Sequence, residues 1–223
     1  MKTMKRTATV LGSPEKPFAS YTEEFSRLIA EAAGGASGAA LCINPRDGGM
    51  LHPLIDKGAV IDSFVSDEEW IEAASAFSRN VFSGCSHRPL LKIAPESCNA
   101  VIVCEDFAFV DDVDAMFNEY FRLLTPGGAL LGLLWNISYA GNIDRLLNAE
   151  AISREGKLCG NSLIPIDSLM SRLGELGFQC ADVYSVLGDR EDAAMYAEVS
   201  MHNLEPVPAQ AFNTQMYLLR VWK

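Results

Sequence analysis

The stretch NAVIVCEDFAFVDDVDAMFNEYFRLLTPGGALLGLLWN, Asn99 to Asn136, has the clearest structural pattern in the chain. Ala100 to Cys104 is a short, continuous, β-branched apolar run, which is typical of a buried strand. Asp111-Asp112 then begins a helix with apolar residues at helical spacing, and Thr125 to Gly128 stops it. Ala129 to Trp135 is a second buried strand. The stretch therefore predicts a strand, a helix and a further strand.

Helices and strands continue to alternate on both sides of this unit. The patterns predict helices that open at Ser20 and Ser66 and others over 50–56 and 167–176, with strands over 39–43, 59–65, 81–83, 178–186 and 215–222. This alternation indicates an α/β, doubly wound, mostly parallel sheet with helices on both faces. Ligands of such sheets bind at the carboxyl ends of the strands, so we expect the site at that edge.

The length of 223 residues suits a single domain. We expect an N-terminal helical segment over 1–37, an α/β core over 38–188, and a C-terminal excursion with a closing strand over 189–223. No apolar run is long enough for a signal-peptide core or a membrane span, which favours a cytoplasmic protein.

The net charge argues against two classes of partner, and the cysteines argue against disulfides and a metal site. The net charge of −11 argues against non-specific nucleic-acid binding and against an anionic membrane surface, both of which need basic residues. The six cysteines form no C-x-x-C pair and are expected to be reduced thiols. Cys85, His87, Cys98 and Cys104 fit no common zinc spacing, so no metal is expected.

The block from Asn99 to Asn136 resembles the second half of class I S-adenosylmethionine-dependent methyltransferases. In that family a strand is followed by a helix ending in an arginine, two apolar residues and a Pro-Gly-Gly turn, which Arg122 to Gly128 matches. Ile164 to Phe178 resembles the family's late helix, and the end of the chain resembles its closing strand. The resemblance implies a seven-stranded sheet with an antiparallel final strand, and S-adenosylmethionine as cofactor.

The segment LCINPRDGG, Leu41 to Gly49, occupies the place of the family's first cofactor loop. That loop follows a strand ending near an acidic residue and runs Gly-x-Gly-x-Gly, which lets the backbone approach the cofactor. Here the acid falls on Cys42, and the three glycines fall on Asn44, Arg46 and Gly48. Only one glycine is kept.

Two further acids that contact the cofactor in the family are also replaced. The ribose-binding acid falls on Val65, with Asp67 two residues later, and the adenine-binding acid falls on Cys85 within Gly84-Cys85-Ser86. Charge-assisted hydrogen bonds contribute roughly 1.5–3 kcal/mol each, and about 1.4 kcal/mol is tenfold in affinity. The replacements therefore predict weak binding of S-adenosylmethionine.

Candidate site residues follow from these positions. The cofactor-binding candidates are Asn44, Arg46, Gly48 and Asp67. Arg46 next to a helix start could bind an anion, or it could belong to an ordinary turn in which it pairs with Asp47 or is solvated. Glu105 and Asp106 follow the buried strand where the resembling family faces its substrate, so either could act as a general base, or both could be solvated loop residues.

Substrate-binding candidates lie at another strand end and in the first helix. Asn136, Tyr139 and Asn142 follow the strand ending at Trp135, which suits a small-molecule pocket or an ordinary polar loop. Tyr21 could close the pocket or simply pack against the helix. Asp111, Asp112 and Asp114 are interpreted as helix-capping acids.

Three functions remain open on the sequence. The chain could be a methyltransferase-like binding or regulatory protein, a pseudoenzyme that holds S-adenosylmethionine weakly. It could instead be an active small-molecule methyltransferase with an atypical cofactor site. In the third possible function, the pocket that binds S-adenosylmethionine in the family binds a different ligand here, such as an anion. A protein partner or a homodimer is compatible with all three.

Overall fold

A computed structural model describes residues 4–11, 21–32, 39–107, 112–136, 139, 153–154, 157–158, 164–188 and 213–223. Its strands are β1 (Lys5–Leu11), β2 (Ala39–Ile43), β3 (Val60–Val65), β4 (Asn80–Ser83), β5 (Cys98–Asp106), β6 (Leu124–Trp135), β7 (Ser153–Arg154), β8 (Lys157–Leu158), β9 (Cys180–Leu187) and β10 (Thr214–Trp222). Its helices are α1 (Tyr21–Ala32), α2 (His52–Ile55), α3 (Ile71–Ser75), α4 (Val113–Leu123) and α5 (Ile166–Leu176), with 3-10 turns at Gly49–Leu51, Glu68–Trp70 and Arg88–Lys92.

Eight strands form one sheet in the order β1-β9-β10-β6-β5-β2-β3-β4. β10 is antiparallel to both β6 and β9, and the other neighbouring pairs are parallel. The predicted doubly wound sheet with an antiparallel final strand is therefore confirmed. Among the described residues, the short strands β7 and β8 pair with each other and not with this sheet.

The sheet has one strand more than the seven expected, and the first 37 residues are not only helical. β1 pairs in parallel with β9 along its whole length, from Lys5 beside Cys180 to Leu11 beside Val186. Its side chains are exposed except for Leu11, which is partly buried. Because a strand exposed on both faces needs no apolar alternation, KRTATVL gave no strand signal. The predicted excursion after residue 188 lies mostly outside the described residues.

The two faces of the sheet bury two separate apolar clusters, because side chains alternate along each strand. On β2, Ala40 and Cys42 face α1 and α2, whereas Leu41 and Ile43 face α4 and α5. α1 contributes Phe25, Leu28 and Ile29, which share one helix face and are all fully buried. Both faces are therefore covered by helices in the central part of the sheet.

Arg122, near the C-terminal end of α4, ties this helix to the segment that precedes β5. Arg122 donates from Nε to Glu119 and from its two terminal nitrogens to the carbonyls of Ile93 and Leu90, all at 2.8–3.0 Å. β6 begins at Leu124, before the expected start at Ala129, and the intervening residues form a bulge against β5. The Pro-Gly-Gly segment thus joins the strand instead of forming a separate turn.

No helix in the described part of the chain is long and apolar enough to cross a membrane.

Candidate functional site

A cavity of about 670 Å³ opens at the carboxyl ends of β2, β3 and β5, as expected for a doubly wound sheet. The loop after β4 and the start of α4 complete its wall. Its lining combines apolar, hydroxyl and charged side chains: Ile43, Asn44, Phe64, Ser66, Gly84, Cys85, Ser86, His87, Arg88, Glu105, Asp112 and Met116.

The loop after β2 keeps a left-handed backbone at three alternate positions. The φ angles are 49° at Asn44, 52° at Arg46 and 77° at Gly48. Asparagine tolerates this conformation, but a left-handed backbone costs an arginine roughly 1–2 kcal/mol. The loop therefore has the torsions that a Gly-x-Gly-x-Gly sequence adopts easily, with glycine at only one of the three positions.

The Asn44 side chain links the ends of three strands. Its Nδ2 donates a hydrogen bond to the Glu105 carboxylate at the end of β5. Its Oδ1 accepts hydrogen bonds from the backbone N–H of Ser66 at 2.8 Å and from the Ser66 hydroxyl at 3.1 Å. The Asn44 N–H donates to the Phe64 carbonyl at 2.7 Å. This half-buried amide thus lies across the cavity floor, where the resembling loop has a glycine.

Arg46 is exposed and does not line this cavity. Its guanidinium lies over the Trp70 ring, with 6.0 Å between Cζ and the ring centroid. The neighbouring Asp47 carboxylate accepts a hydrogen bond from the Gly49 N–H at 3.0 Å, which closes the turn.

The positions of the three replaced acids hold no carboxylate. Cys42 is fully buried, and burial raises the pKa of its thiol well above the ordinary value, with smaller contributions from Cys104, Cys98 and Asp62. Val65 is also fully buried. Asp67, two residues further on, is exposed and accepts a hydrogen bond from the Glu69 N–H at 3.1 Å. Asp67 therefore caps the next helical turn and does not line the cavity.

The loop after β4 supplies the third of these positions, Cys85, which lines the cavity with an exposed thiol. His87 and Arg88 follow it in the cavity wall, although sequence reasoning considered His87 only as a zinc ligand and did not select Arg88. The 3-10 turn that begins at Arg88 is tied to α4 by the two Arg122 bonds described above. This wall therefore carries the basic side chains of the cavity among the described residues.

Glu105 lies in the cavity wall, as its strand-end position predicted. Its neighbour Cys104 is buried, and burial followed by the Glu105 charge raises the pKa of that thiol to about 12. The side chain of Asp106 lies outside the described part of the chain. Asp112 does cap α4, accepting from the Ala115 N–H at 3.0 Å, but it also lines the cavity, which sequence reasoning missed.

The predicted substrate-binding residues lie elsewhere. Asn136 is buried and donates from Nδ2 to the Thr214 carbonyl at 2.7 Å, which joins β6 to β10. Tyr139 is buried against Gly188, where an added Cβ would lie 2.2 Å from its hydroxyl oxygen. Neither lines the cavity at β2 and β5. Tyr21 begins α1, but its side chain, like Asn142, is outside the described residues.

In the described ranges, no group of three or more histidine, cysteine, aspartate or glutamate side chains could hold a metal ion. Of the six cysteines, five are described and all five are free thiols: Cys42, Cys85, Cys98, Cys104 and Cys180.

The strand order, the antiparallel final strand and the cavity at the switch point define the Rossmann-like fold of class I methyltransferases. A methyltransferase from Archaeoglobus fulgidus has a TM-score of 0.68 at 12% identity, covering 91% of this chain and 92% of that one. One from Mesorhizobium loti has a TM-score of 0.58 at 13% identity, covering 89% and 98%.

A third solved structure is larger than this chain. Phosphoethanolamine N-methyltransferase 2 of Haemonchus contortus, in complex with S-adenosyl-L-methionine, has a TM-score of 0.62 at 13% identity. The match covers 90% of this chain and 52% of that one. No protein-family model matches the sequence, and no curated protein matches it. The likeness thus shows the methyltransferase fold.

Proposed function

We propose that this chain is a binding protein with the methyltransferase fold, whose cavity takes a small molecule other than S-adenosylmethionine. The observation that carries the proposal is the Asn44 side chain, which bridges Ser66 and Glu105 across the cavity floor. The residues present do not fit S-adenosylmethionine well, for the two reasons that follow.

The first reason is steric. A ligand that approaches the β2 loop as closely as a glycine allows would have to displace the Asn44 amide. That displacement breaks two hydrogen bonds to Ser66 and one to Glu105, each contributing about 0.5–1.5 kcal/mol, or more for the charged Glu105. The cavity floor is therefore already occupied by the protein's own polar groups.

The second reason is electrostatic. The positions expected to hold the cofactor through carboxylates are a buried thiol at Cys42, an alkyl side chain at Val65 and an exposed thiol at Cys85. The raised pKa of Cys42 keeps it uncharged at neutral pH. Loss of two or three charge-assisted contacts at about 1.5–3 kcal/mol each weakens binding by several orders of magnitude.

The cavity nevertheless has the size and composition of a ligand site. Its volume of about 670 Å³ lies in the range of small-molecule pockets, roughly 300–1,000 Å³. Ile43, Phe64 and Met116 give it apolar surface, and Glu105 faces the same space as the basic Arg88. This mixture supports a small polar ligand with an apolar part.

Calorimetric titration with S-adenosylmethionine and S-adenosylhomocysteine tests the cofactor part of the proposal. We expect no saturable binding by the wild-type protein at millimolar concentration. Asn44→Gly should give measurable binding, because it clears the cavity floor. Asn44→Ala is the matched control: it removes the same hydrogen bonds but keeps a Cβ that limits close approach, so it should bind more weakly than Asn44→Gly. Micromolar binding by the wild type would overturn the proposal.

Native mass spectrometry of the freshly purified protein tests whether the cavity holds another ligand. We expect a co-purified small molecule that is lost when Ser86, in the cavity wall, is replaced by tryptophan. Ser75→Trp, on the exposed side of α3, should retain it. Equal retention in both variants would place the ligand outside this cavity and contradict the proposal.

An active methyltransferase is the second candidate. Glu105 favours it, because a carboxylate in the cavity wall could orient a substrate amine, and the Haemonchus enzyme with this fold was solved with S-adenosyl-L-methionine. Transfer of a labelled methyl group to small-molecule acceptors, lost in Glu105→Gln, would establish it.

An anionic ligand is the third candidate. His87 and Arg88 favour it, since both basic side chains line the cavity. Titration with inorganic phosphate, compared between Arg88→Ala and Arg46→Ala, would show which guanidinium such a ligand uses.

A further inference from the structure

β1 forms one edge of the sheet and has unusual exposure for a strand that is paired along its whole length. Six of its seven residues are exposed, and Val10 keeps 47% of its surface accessible. Within the described part of the chain, β1 pairs with β9 alone. The strand contains no proline, which natural edges often use to block further pairing.

The hydrogen bonds to β9 show which backbone groups face outward. The Lys5 N–H donates to the Gln179 carbonyl at 3.0 Å, on the β9 side. In a parallel ladder, alternate residues pair with the same neighbour, so Thr7 and Thr9 also point toward β9. The N–H and C=O groups of Arg6, Ala8 and Val10 therefore point to the open edge.

We propose that β1 pairs in antiparallel fashion with β1 of a second copy, about a two-fold axis at Ala8. The outward residues are then symmetric about the centre: Ala8 faces Ala8, and Arg6 faces Val10. Each facing pair exchanges two backbone hydrogen bonds, since each residue presents both its groups outward. The result is one continuous sheet across two copies, with an isologous interface.

The charges of β1 fit this arrangement and oppose a parallel one. Lys5 and Arg6 place both basic residues at one end of the strand. In the antiparallel pair the two Arg6 residues lie four residues apart along the strands, about 14 Å, beyond the Debye length of about 8 Å at physiological salt. A parallel pair would place them about 4.8 Å apart. Arg6 is also paired with Asp167 at 2.9 Å, which lowers the repulsion further.

The expected dimer is weak. Two seven-residue edges bury less than the about 1,600 Å² of a standard stable interface. We therefore expect sedimentation velocity between about 1 μM and about 1 mM protein to show a reversible monomer–dimer equilibrium. A monomer throughout this range would overturn the proposal.

Backbone variants at the centre test the register. Ala8→Pro removes the outward N–H and should abolish the dimer, while the N–H groups that face β9 are kept. Ala8→Val keeps the N–H and should still dimerise. A thermal melt of each variant shows whether the chain remains folded.

Charge variants at Val10 test the register independently of folding. Val10→Glu places a carboxylate opposite Arg6 of the second copy and should tighten the dimer about threefold to tenfold, through two symmetric cross-strand pairs. Val10→Lys should weaken it by a similar factor. Both residues are charged and equally suited to an exposed edge, so opposite effects identify the Arg6 contact. Shifts in the same direction would contradict this register.

Discussion

Two loops of this protein stand where the methyltransferase pattern calls for glycine, and they differ in which glycines remain. The bulge before the central part of β6 keeps Gly127, at a φ of 77°, and Gly128. The loop after β2 has Asn44 and Arg46 at φ values of 49° and 52°, with glycine only at position 48. Each loop has left-handed backbone that suits glycine, but only the β6 loop has glycine wherever this occurs.

The two loops differ because a side chain added at some of these glycines would collide with neighbouring atoms. A Cβ at Gly128 would lie 2.9 Å from the Thr125 carbonyl oxygen and 3.0 Å from that of Asn99, both backbone atoms that cannot move cheaply. At Gly48 a Cβ would meet the Phe77 ring at 2.8 Å. The side chains of Asn44 and Arg46 instead have room. Glycine is therefore present at positions where a side chain would collide with the fold. It is absent at positions where glycine would serve only the close approach of a ligand.

The largest expected effect tests this steric reading. Gly48→Ala should lower the free energy of unfolding by about 3 kcal/mol, from the left-handed torsion and the collision with Phe77. Gly58→Ala is the matched control, because Gly58 has a φ of 65° with no atom within 4 Å of its added Cβ. It should cost only about 1 kcal/mol. Equal losses in urea unfolding would show that torsion alone decides where glycine is needed.

The next effect concerns the position of the lost acid. The folded-state pKa of Cys42 is raised above its ordinary value of 9.0, so its contribution to stability is complete below pH 9 and is lost as pH rises. Each pH unit above 9 should cost up to about 1.4 kcal/mol for this thiol. Cys42→Ala should flatten the alkaline slope of the unfolding free energy by that amount. An unchanged slope would mean that other groups control alkaline unfolding.

The smallest effect is at Arg46. Arg46→Gly should be more stable than Arg46→Ala by about 1 kcal/mol, because both lose the contact with Trp70 but only glycine relieves the left-handed torsion. Thermal unfolding of the pair measures the difference directly. If the alanine variant were the more stable, the loop would be relaxed despite its positive φ.

Much of the fold could be predicted because its signals are local. The β-branched run Ala100 to Cys104 lies within β5, and the helix predicted over 167–176 is α5, which Gly177 ends at a φ of 109°. β1 could not be predicted, since an exposed edge strand buries no periodic side chains. The start of β6 at Leu124 was also missed, because Pro126 and the glycines after it normally argue against a strand.

The site was predicted less well because its contacts join distant residues. Strand ends pointed to Asn44 and Glu105 separately, but their hydrogen bond links positions 61 residues apart. Asp112 gave only a capping signal, His87 only a rejected zinc spacing, and Arg88 no signal, because the fold alone brings the loop after β4 beside α4. Strand-end position also selected Asn136, which the structure places in the contact between β6 and β10.

The hydrogen bonds of Arg122 have a consequence for the rate of ligand binding. The hydrogen bonds from Arg122 to the carbonyls of Leu90 and Ile93 join the 3-10 turn that begins at Arg88 to α4. Both of these elements contribute to the cavity wall. A ligand entering between them meets a surface whose shape is already set, so association pays little ordering entropy. We therefore expect no slow opening step before binding, and affinity differences among ligands to lie in how fast each one leaves, which stopped-flow association and dissociation rates would measure.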